Sequence, residues 1–366
     1  MQEIPKTMHA VILTGHGGID MLVYKTDVKV PLPKPDEVLI RVKGAGINNT
    51  DINTRIGWYS KYISSDTKKG GYHGLVDAKI KDSSWSGKPL KFPLIQGADV
   101  YGEIAKVGTD INPKRIGESV LVRTMQENPN NSEKTCWTLG SECNGGFAQY
   151  TAVRSSEVFV INSDWLAHDL GSIPCAYSTA EGLLHRAKVE KETILITGAS
   201  GGVGSAAIQL AKLRDANVIA QCAVEKKERV LQIGADKIVF SNSDLMKELG
   251  RNTIDIVMDL VGGLKWAQLL NILKPGGKYI TSGAIAGPIV ELDLRTLYLK
   301  DLTLYGCTFQ PKEVFKNVIK YIEENKIKPQ VAKSYPLKEI KKAQLDFLSK
   351  KFVGKLVLVP PDDNDT

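Results

Sequence analysis

A glycine-rich turn set between an apolar strand and an apolar helix constrains this chain more than any other feature. Ile194-Leu-Ile-Thr-Gly198-Ala199-Ser200-Gly201-Gly202-Val203-Gly204-Ser-Ala-Ala-Ile-Gln-Leu-Ala-Lys212 leaves a buried strand, turns on glycine and enters a helix. That context is the one a dinucleotide fingerprint requires. Gly201 and Gly202 let the backbone approach a pyrophosphate, and Gly204 lets the helix pack against the strand. The helix N-terminus adds free N–H groups and the positive end of its dipole. The predicted cofactor-binding turn is therefore Gly198, Ala199, Ser200, Gly201, Gly202, Val203 and Gly204.

Strand and helix signals alternate from there on. Strands are predicted at 193–197, 217–220, 237–240, 255–258, 278–281 and 302–305, with helices at 203–213 and 226–233 among them. Such alternation specifies parallel βαβ units and a doubly wound α/β sheet. The first half reads differently. His9-Ala-Val-Ile-Leu13, Glu37-Val-Leu-Ile-Arg-Val-Lys43, Val120-Leu-Val122 and Phe147-Ala-Gln-Tyr-Thr-Ala-Val153 are short β-branched runs cut by Gly and Pro. Helices at 314–325 and 337–349 precede a last strand, Gly354-Lys-Leu-Val-Leu-Val359, which is a candidate to return to the first sheet. Two polar stretches, Lys61–Lys91 and Arg123–Cys143, interrupt the β-rich half. The first holds Tyr62, Tyr72, His73 and Trp85 and reads either as a lid over a cleft or as a mobile surface loop.

The end of the second strand of the nucleotide-binding half discriminates between cofactors. An NAD site usually places Asp or Glu there to bond the ribose 2′-OH. Here the strand ends Ala220-Gln-Cys-Ala-Val224, and Lys226, Lys227 and Arg229 follow. Loss of the acid with cations nearby points to a 2′-phosphate, hence NADPH held by Lys226 or Lys227. The net charge of +7 over 366 residues is spread along the chain with no Lys/Arg tract of five, which argues against a nucleic-acid partner. Five cysteines make no disulfide framework, and the N-terminus lacks an apolar signal core, so a cytoplasmic location is expected. No apolar run is long enough to span a bilayer.

Together, Ala45-Gly-Ile-Asn48-Asn-Thr50-Asp51, Gln96-Gly-Ala-Asp99-Val-Tyr-Gly102, Asn144-Gly-Gly-Phe-Ala-Gln-Tyr150, Pro174-Cys-Ala-Tyr-Ser-Thr179-Ala180 and Leu273-Lys-Pro-Gly-Gly277 surround the glycine turn in order. In this the chain resembles the medium-chain dehydrogenase/reductase superfamily over nearly its whole length, and most of all its zinc-independent quinone oxidoreductase (zeta-crystallin-like) branch. The resemblance implies a GroES-like β-barrel catalytic domain, residues 1–176 completed by 311–366, beside a Rossmann domain of residues 177–310. It implies a homodimer through Rossmann edge strands.

At the positions matching the zinc ligands of metal-dependent relatives stand Asn48, Ala98 and Cys175. Asn and Ala cannot replace a thiolate and an imidazole, so no catalytic zinc is expected. Cys175 is then a packed thiol. The resemblance gives Asn48 as the polar group facing nicotinamide and substrate, and Thr50 as the match to the proton-relay hydroxyl. Thr179, Gly283 and Ala284 fall where the family lines its cofactor. The substrate-stacking Tyr of the quinone reductases is replaced by Asn53, with Trp58 or Tyr59 as substitutes. The implied reaction is hydride transfer from NADPH to a quinone or an α,β-unsaturated carbonyl compound. Two alternatives stay open: an alcohol dehydrogenase, and an NADPH-binding sensor or RNA-binding protein with little turnover.

Overall fold

The computed structural model describes residues 3–75, 80–129 and 136–362. Residues 76–79 of the first polar stretch and 130–135 of the second lie outside the described residues.

In the β-rich half, the strand Glu37–Gly46 is the hub. It pairs antiparallel with Tyr101–Val107 on one side and with Tyr150–Arg154 along its first half. Val38, Leu39, Ile40 and Val42 are buried, because strands and a second, three-stranded sheet cover both faces. The strand leads through Ile47 into helix α1 (Asn49–Ile56), whose N-terminus is thereby aimed out of the barrel wall.

Helix α2 (Pro174–Ala187) carries the chain into the second unit, with Pro174 at its first turn, where a missing N–H costs nothing. Six parallel strands follow: β1 (Thr193–Ile196), β2 (Asn217–Cys222), β3 (Lys237–Phe240), β4 (Ile254–Asp259), β5 (Leu273–Thr281) and β6 (Thr303–Gly306). Their order is β3-β2-β1-β4-β5-β6. The order reverses between β1 and β4, which is where ligands bind in such sheets. Side chains alternate between faces as the pleat demands. Ile194, Ile196, Ile256 and Met258 face one layer of helices, while Leu195 and Val257 face Trp266, Leu269 and Leu270.

Helix α3 (Gly202–Lys212) follows the glycine turn and packs on α2. Helix α4 (Lys312–Glu323) joins the same layer through Phe315, Val318, Ile319 and Ile322. The core therefore passes back to the barrel later than residue 311. It does so at β7 (Val331–Pro336), followed by helix α5 (Ile340–Leu348) and strand β8 (Lys355–Val359). The spacing of apolar residues marked α4 as a helix but could not say which core its stripe would enter. Strand β8 pairs with the hub strand, Val357 opposite Gly46 and Leu358 opposite Ala45, so the chain's end closes the barrel.

Candidate active site

The site lies where the N-terminus of α1, the start of α2 and the glycine turn converge, and β8 ties the three together. Lys355, the first residue of β8, is 3 % exposed. Its ammonium donates to Asp99 Oδ2 at 2.9 Å, Asn48 Oδ1 at 2.5 Å and the Ile47 carbonyl at 3.0 Å. Its methylene chain lies against the turn, such that a Cβ on Gly202 would sit 2.6 Å from Lys355 Cδ. Asp99 accepts in turn from the Cys175 backbone N–H at the start of α2. A fully buried ion pair persists when hydrogen bonds satisfy the rest of both charges, and here they do.

This network corrects the expectation for Asn48. Its amide nitrogen donates to Asp99 Oδ2 at 2.8 Å and to the Gly46 carbonyl at 3.2 Å, while its oxygen accepts from Lys355. A buried ammonium and a buried carboxylate both need partners, and one amide serves both. Asn48 therefore holds the network, and its polar atoms face inward. Its backbone N–H donates to Asp51 Oδ2 at 2.8 Å, and Asp51 Oδ1 accepts from the Ala98 N–H at 3.3 Å, so Asp51 orders the loop. Burial pushes the Asp51 carboxyl up to about 7, against those two N–H groups and Lys355. Burial likewise pushes the Cys175 thiol up, with Asp99 adding to the effect, which keeps it an inert, packed thiol.

Thr50 is placed differently. Its Oγ1 accepts from Trp85 Nε1 at 2.6 Å and from Tyr59 Oη at 3.2 Å. The rings of Trp58, Tyr59 and Trp85 form a cluster beside it, with centroids 5.7 Å and 5.0 Å apart. The two rings expected to stand in for the one missing at Asn53, Trp58 and Tyr59, are in contact, and Trp85 from the first polar stretch packs on Tyr59. The described part of that stretch is tied down at several points. Thr67 N donates to the Ile285 carbonyl at 3.0 Å on the far side of the cleft, Ser86 N donates to Glu142, and the buried Arg55 donates to the Gly71 carbonyl. It is an anchored cover whose reach extends to the nucleotide-binding unit.

The turn itself has the shape a diphosphate needs. Gly198 has φ +59°, a conformation that favours glycine. A Cβ on Gly204 would lie 2.4 Å from the Gly198 carbonyl oxygen, so α3 can approach β1 only without a side chain there. Ser200 and Gly201 are bound to β8 from behind, through Gly354 N to Ser200 O at 2.9 Å and a bridge between Gly201 and Gly354. Ala199 is fully buried and Val203 packs on the core, so these two support the turn from within. Thr179 stands one helical turn beyond Cys175 on α2. Val261, after β4, lies beside Gly198, and Gly262 lies beside Ala284, so the turns after β1, β4 and β5 line up at one end of the sheet. Gly283 and Ala284 border a cavity of about 280 Å³ there, with Gly262, Tyr279 and Leu304.

The two lysines expected at the 2′-phosphate separate. Lys226 is 8 % exposed, and its ammonium donates to the carbonyls of Lys350 and Phe352 and to Ser200 Oγ at 2.5, 3.1 and 3.4 Å. Its three donors are matched by three protein acceptors, so it clamps the segment before β8 onto the glycine turn and is not a free phosphate ligand. Lys227 is exposed, 3.9 Å from Glu228. Lys350 stands beside Lys226 with its ammonium on Asn49 Oδ1 at 3.2 Å, and burial together with the Lys226 charge pushes it down to about 8.

Sequence reasoning missed Lys355 and the tie between Trp85 and Thr50. A lone cation opening an otherwise apolar strand was the available signal for the first. No local signal announces the second, because 35 residues separate the partners. Among the described residues, no group of three His, Cys, Asp or Glu side chains is placed to hold a metal ion.

The chain is similar to known proteins in sequence and fold. Residues 34–163 match the alcohol dehydrogenase GroES-like domain and residues 202–324 the zinc-binding dehydrogenase family. A solved protein from Sinorhizobium meliloti 1021, provisionally named an alcohol dehydrogenase, is 43 % identical, superposes with a TM-score of 0.86 and covers 98 % of each chain. The chain belongs to the medium-chain dehydrogenase/reductase family. Within that family it falls in the quinone oxidoreductase-like branch. The quinone oxidoreductase of Lama guanicoe is 28 % identical over 97 % of this chain and 98 % of its own length. The NADPH-dependent alkenal/one oxidoreductase of Arabidopsis thaliana chloroplasts is 29 % identical over 98 % of this chain and 81 % of its own length.

Proposed function

We propose that this member of the family is an NADPH-dependent oxidoreductase that reduces a quinone or an α,β-unsaturated carbonyl compound without a catalytic metal. The observation that carries this reading is the Thr50 hydroxyl, set in an aromatic surround opposite the glycine turn, where metal-dependent relatives have ligands and this chain has Asn48 and Ala98. A metal centre needs thiolate, imidazole or carboxylate donors, and those two side chains supply none.

A bound reduced nicotinamide supplies a hydride to the electrophilic carbon. The glycine turn and the first turn of α3 would hold its diphosphate. Thr179, Gly283 and Ala284 would border the nicotinamide, and Tyr59 and Trp85 offer flat apolar faces against which a conjugated ring or chain can lie. Thr50 then donates a hydrogen bond to the carbonyl oxygen on which charge develops. Orientation is the larger part of the protein's work, since a conjugated acceptor has a carbon ready for hydride without Lewis-acid help. The absence of an acid at the end of β2, with exposed Lys227 following Lys226 and Lys350 joined to Lys226 through its carbonyl, favours a 2′-phosphate on the cofactor.

Two copies would pair through the free edge of β6. Leu264, Ile289, Leu294, Tyr298 and Leu299, in the chain between β4 and β6, are exposed, and an open strand edge is a template for pairing. Among the described residues no helix is long and apolar enough to cross a membrane.

The experiment that tests the reading follows NADPH and NADH oxidation by the purified protein over quinones, enals, enones and simple ketones, with metal analysis of the same sample. Turnover of conjugated acceptors with NADPH is expected. Turnover confined to simple alcohols and ketones with stoichiometric zinc would overturn it.

A further inference from the structure

We propose that Trp85 is a positioning residue for this reaction, its indole N–H fixing the Thr50 hydroxyl as a one-way donor aimed at the substrate's carbonyl oxygen. The inference rests on the functional reading above and adds to it a residue from the polar stretch between 61 and 91.

The argument is a count of hydrogen-bonding valences. An indole nitrogen can only donate, so at 2.6 Å Thr50 Oγ1 must accept from Trp85. A hydroxyl has one proton and two lone pairs, and the second lone pair faces Tyr59 Oη at 3.2 Å. That bond runs from the phenol, with Tyr59 Oη donating and Thr50 Oγ1 accepting. With both lone pairs filled, the Thr50 proton has no direction left but the cleft. Thr50 is 8 % exposed, so it is not sealed from solvent.

The chemistry follows from this polarity. As the β-carbon of an enone accepts hydride, the C=C π pair shifts and charge collects on the carbonyl oxygen. Thr50 shares its proton with that oxygen and keeps its own O–H bond. It cannot relay a proton by accepting one, because no lone pair is open. The enolate carbon therefore takes its proton from water, and the product is the saturated ketone. Trp85 touches neither atom of the reacting bond; it acts through Thr50.

The test is a double-mutant cycle on the intact enzyme with NADPH and two probes, 2-cyclohexen-1-one and 9,10-phenanthrenequinone. Trp85→Phe keeps a ring and removes the N–H; Thr50→Val keeps the shape and removes the hydroxyl. Trp85→Phe is expected to lower kcat roughly 10- to 100-fold, with KM for the enone and Kd for NADPH within about twofold. Thr50→Val should lose as much or more, Thr50→Ser should recover most of it, and the double variant should be no worse than Thr50→Val. Unchanged kcat in Trp85→Phe, or losses that multiply, would overturn the proposal. A second readout needs no turnover: the indole N–H resonance that vanishes in Trp85→Phe should shift in Thr50→Val and return in Thr50→Ser. A resonance indifferent to Thr50 overturns the geometry. A Thr50-dependent resonance in a wild-type enzyme inert to both probes overturns the reaction assigned to the site, and the donor role with it.

Discussion

Lys355 shows how one residue at the mouth of a strand can organise a site. Its ammonium holds Asp99, Asn48 and the Ile47 carbonyl, and its methylenes cover Gly202. Removing it leaves Asp99 as a buried, uncompensated charge. Lys355→Met should therefore cost about 3–5 kcal/mol of stability by urea denaturation, and adding Asp99→Asn should recover part of that loss. A neutral result in Lys355→Met would show that water or rearrangement already serves Asp99. Residue-level legibility was uneven. Thr50 was singled out through the family resemblance, and the structure sets its hydroxyl on Trp85 and Tyr59, which the resemblance did not indicate. Asn48 came from the same motif, but its amide is consumed by two charges that lie 51 and 307 residues away. Lys226 sat in the right segment yet turns inward, because carbonyls of the β8 approach lie within reach of its ammonium.

Among the elements, the strand–turn–helix at β1 and α3 was the most legible. Its constraint is local: α3 must start beside β1, and only glycine permits that at 204. The Gly204→Ala substitution puts a carbon 2.4 Å from the Gly198 carbonyl oxygen and must push α3 away from the turn. A stability loss of about 1–3 kcal/mol and weaker NADPH binding are expected, read by thermal melts with and without cofactor. Retained affinity with an unaltered melt would mean that the helix start is looser than its contacts imply. Helix α4 was legible as a helix from Val314, Phe315, Val318 and Ile322. Its assignment to the barrel was not, since an apolar stripe carries no address. The partner surface, Leu183 and Ile208 among others, decides that.

At the scale of the whole molecule, the C-terminal segment is a strap across two units. It leaves α4 in the nucleotide-binding core, completes the barrel with β7 and β8, and touches the glycine turn on the way through Gly354 and Lys355, while Lys226 bonds both the turn at Ser200 and the segment at Phe352. If β6 pairs with a second copy, sedimentation should report about twice the 40.1 kDa chain mass, and charges placed at Leu299 and Leu304 together should halve it. A concentration-independent single-chain mass in the unaltered protein would discard the pairing. The amino-acid sequence alone determined the alternation of strands and helices and the strand–glycine turn–helix at 194–212, because those are short-range matters of periodicity and glycine sterics. Only the tertiary structure decided which hydroxyl stays open to the cleft, which lysines are spent on carbonyls and which core receives α4. Those outcomes depend on atoms brought within 3 Å from opposite ends of the chain, and no local pattern encodes such a meeting.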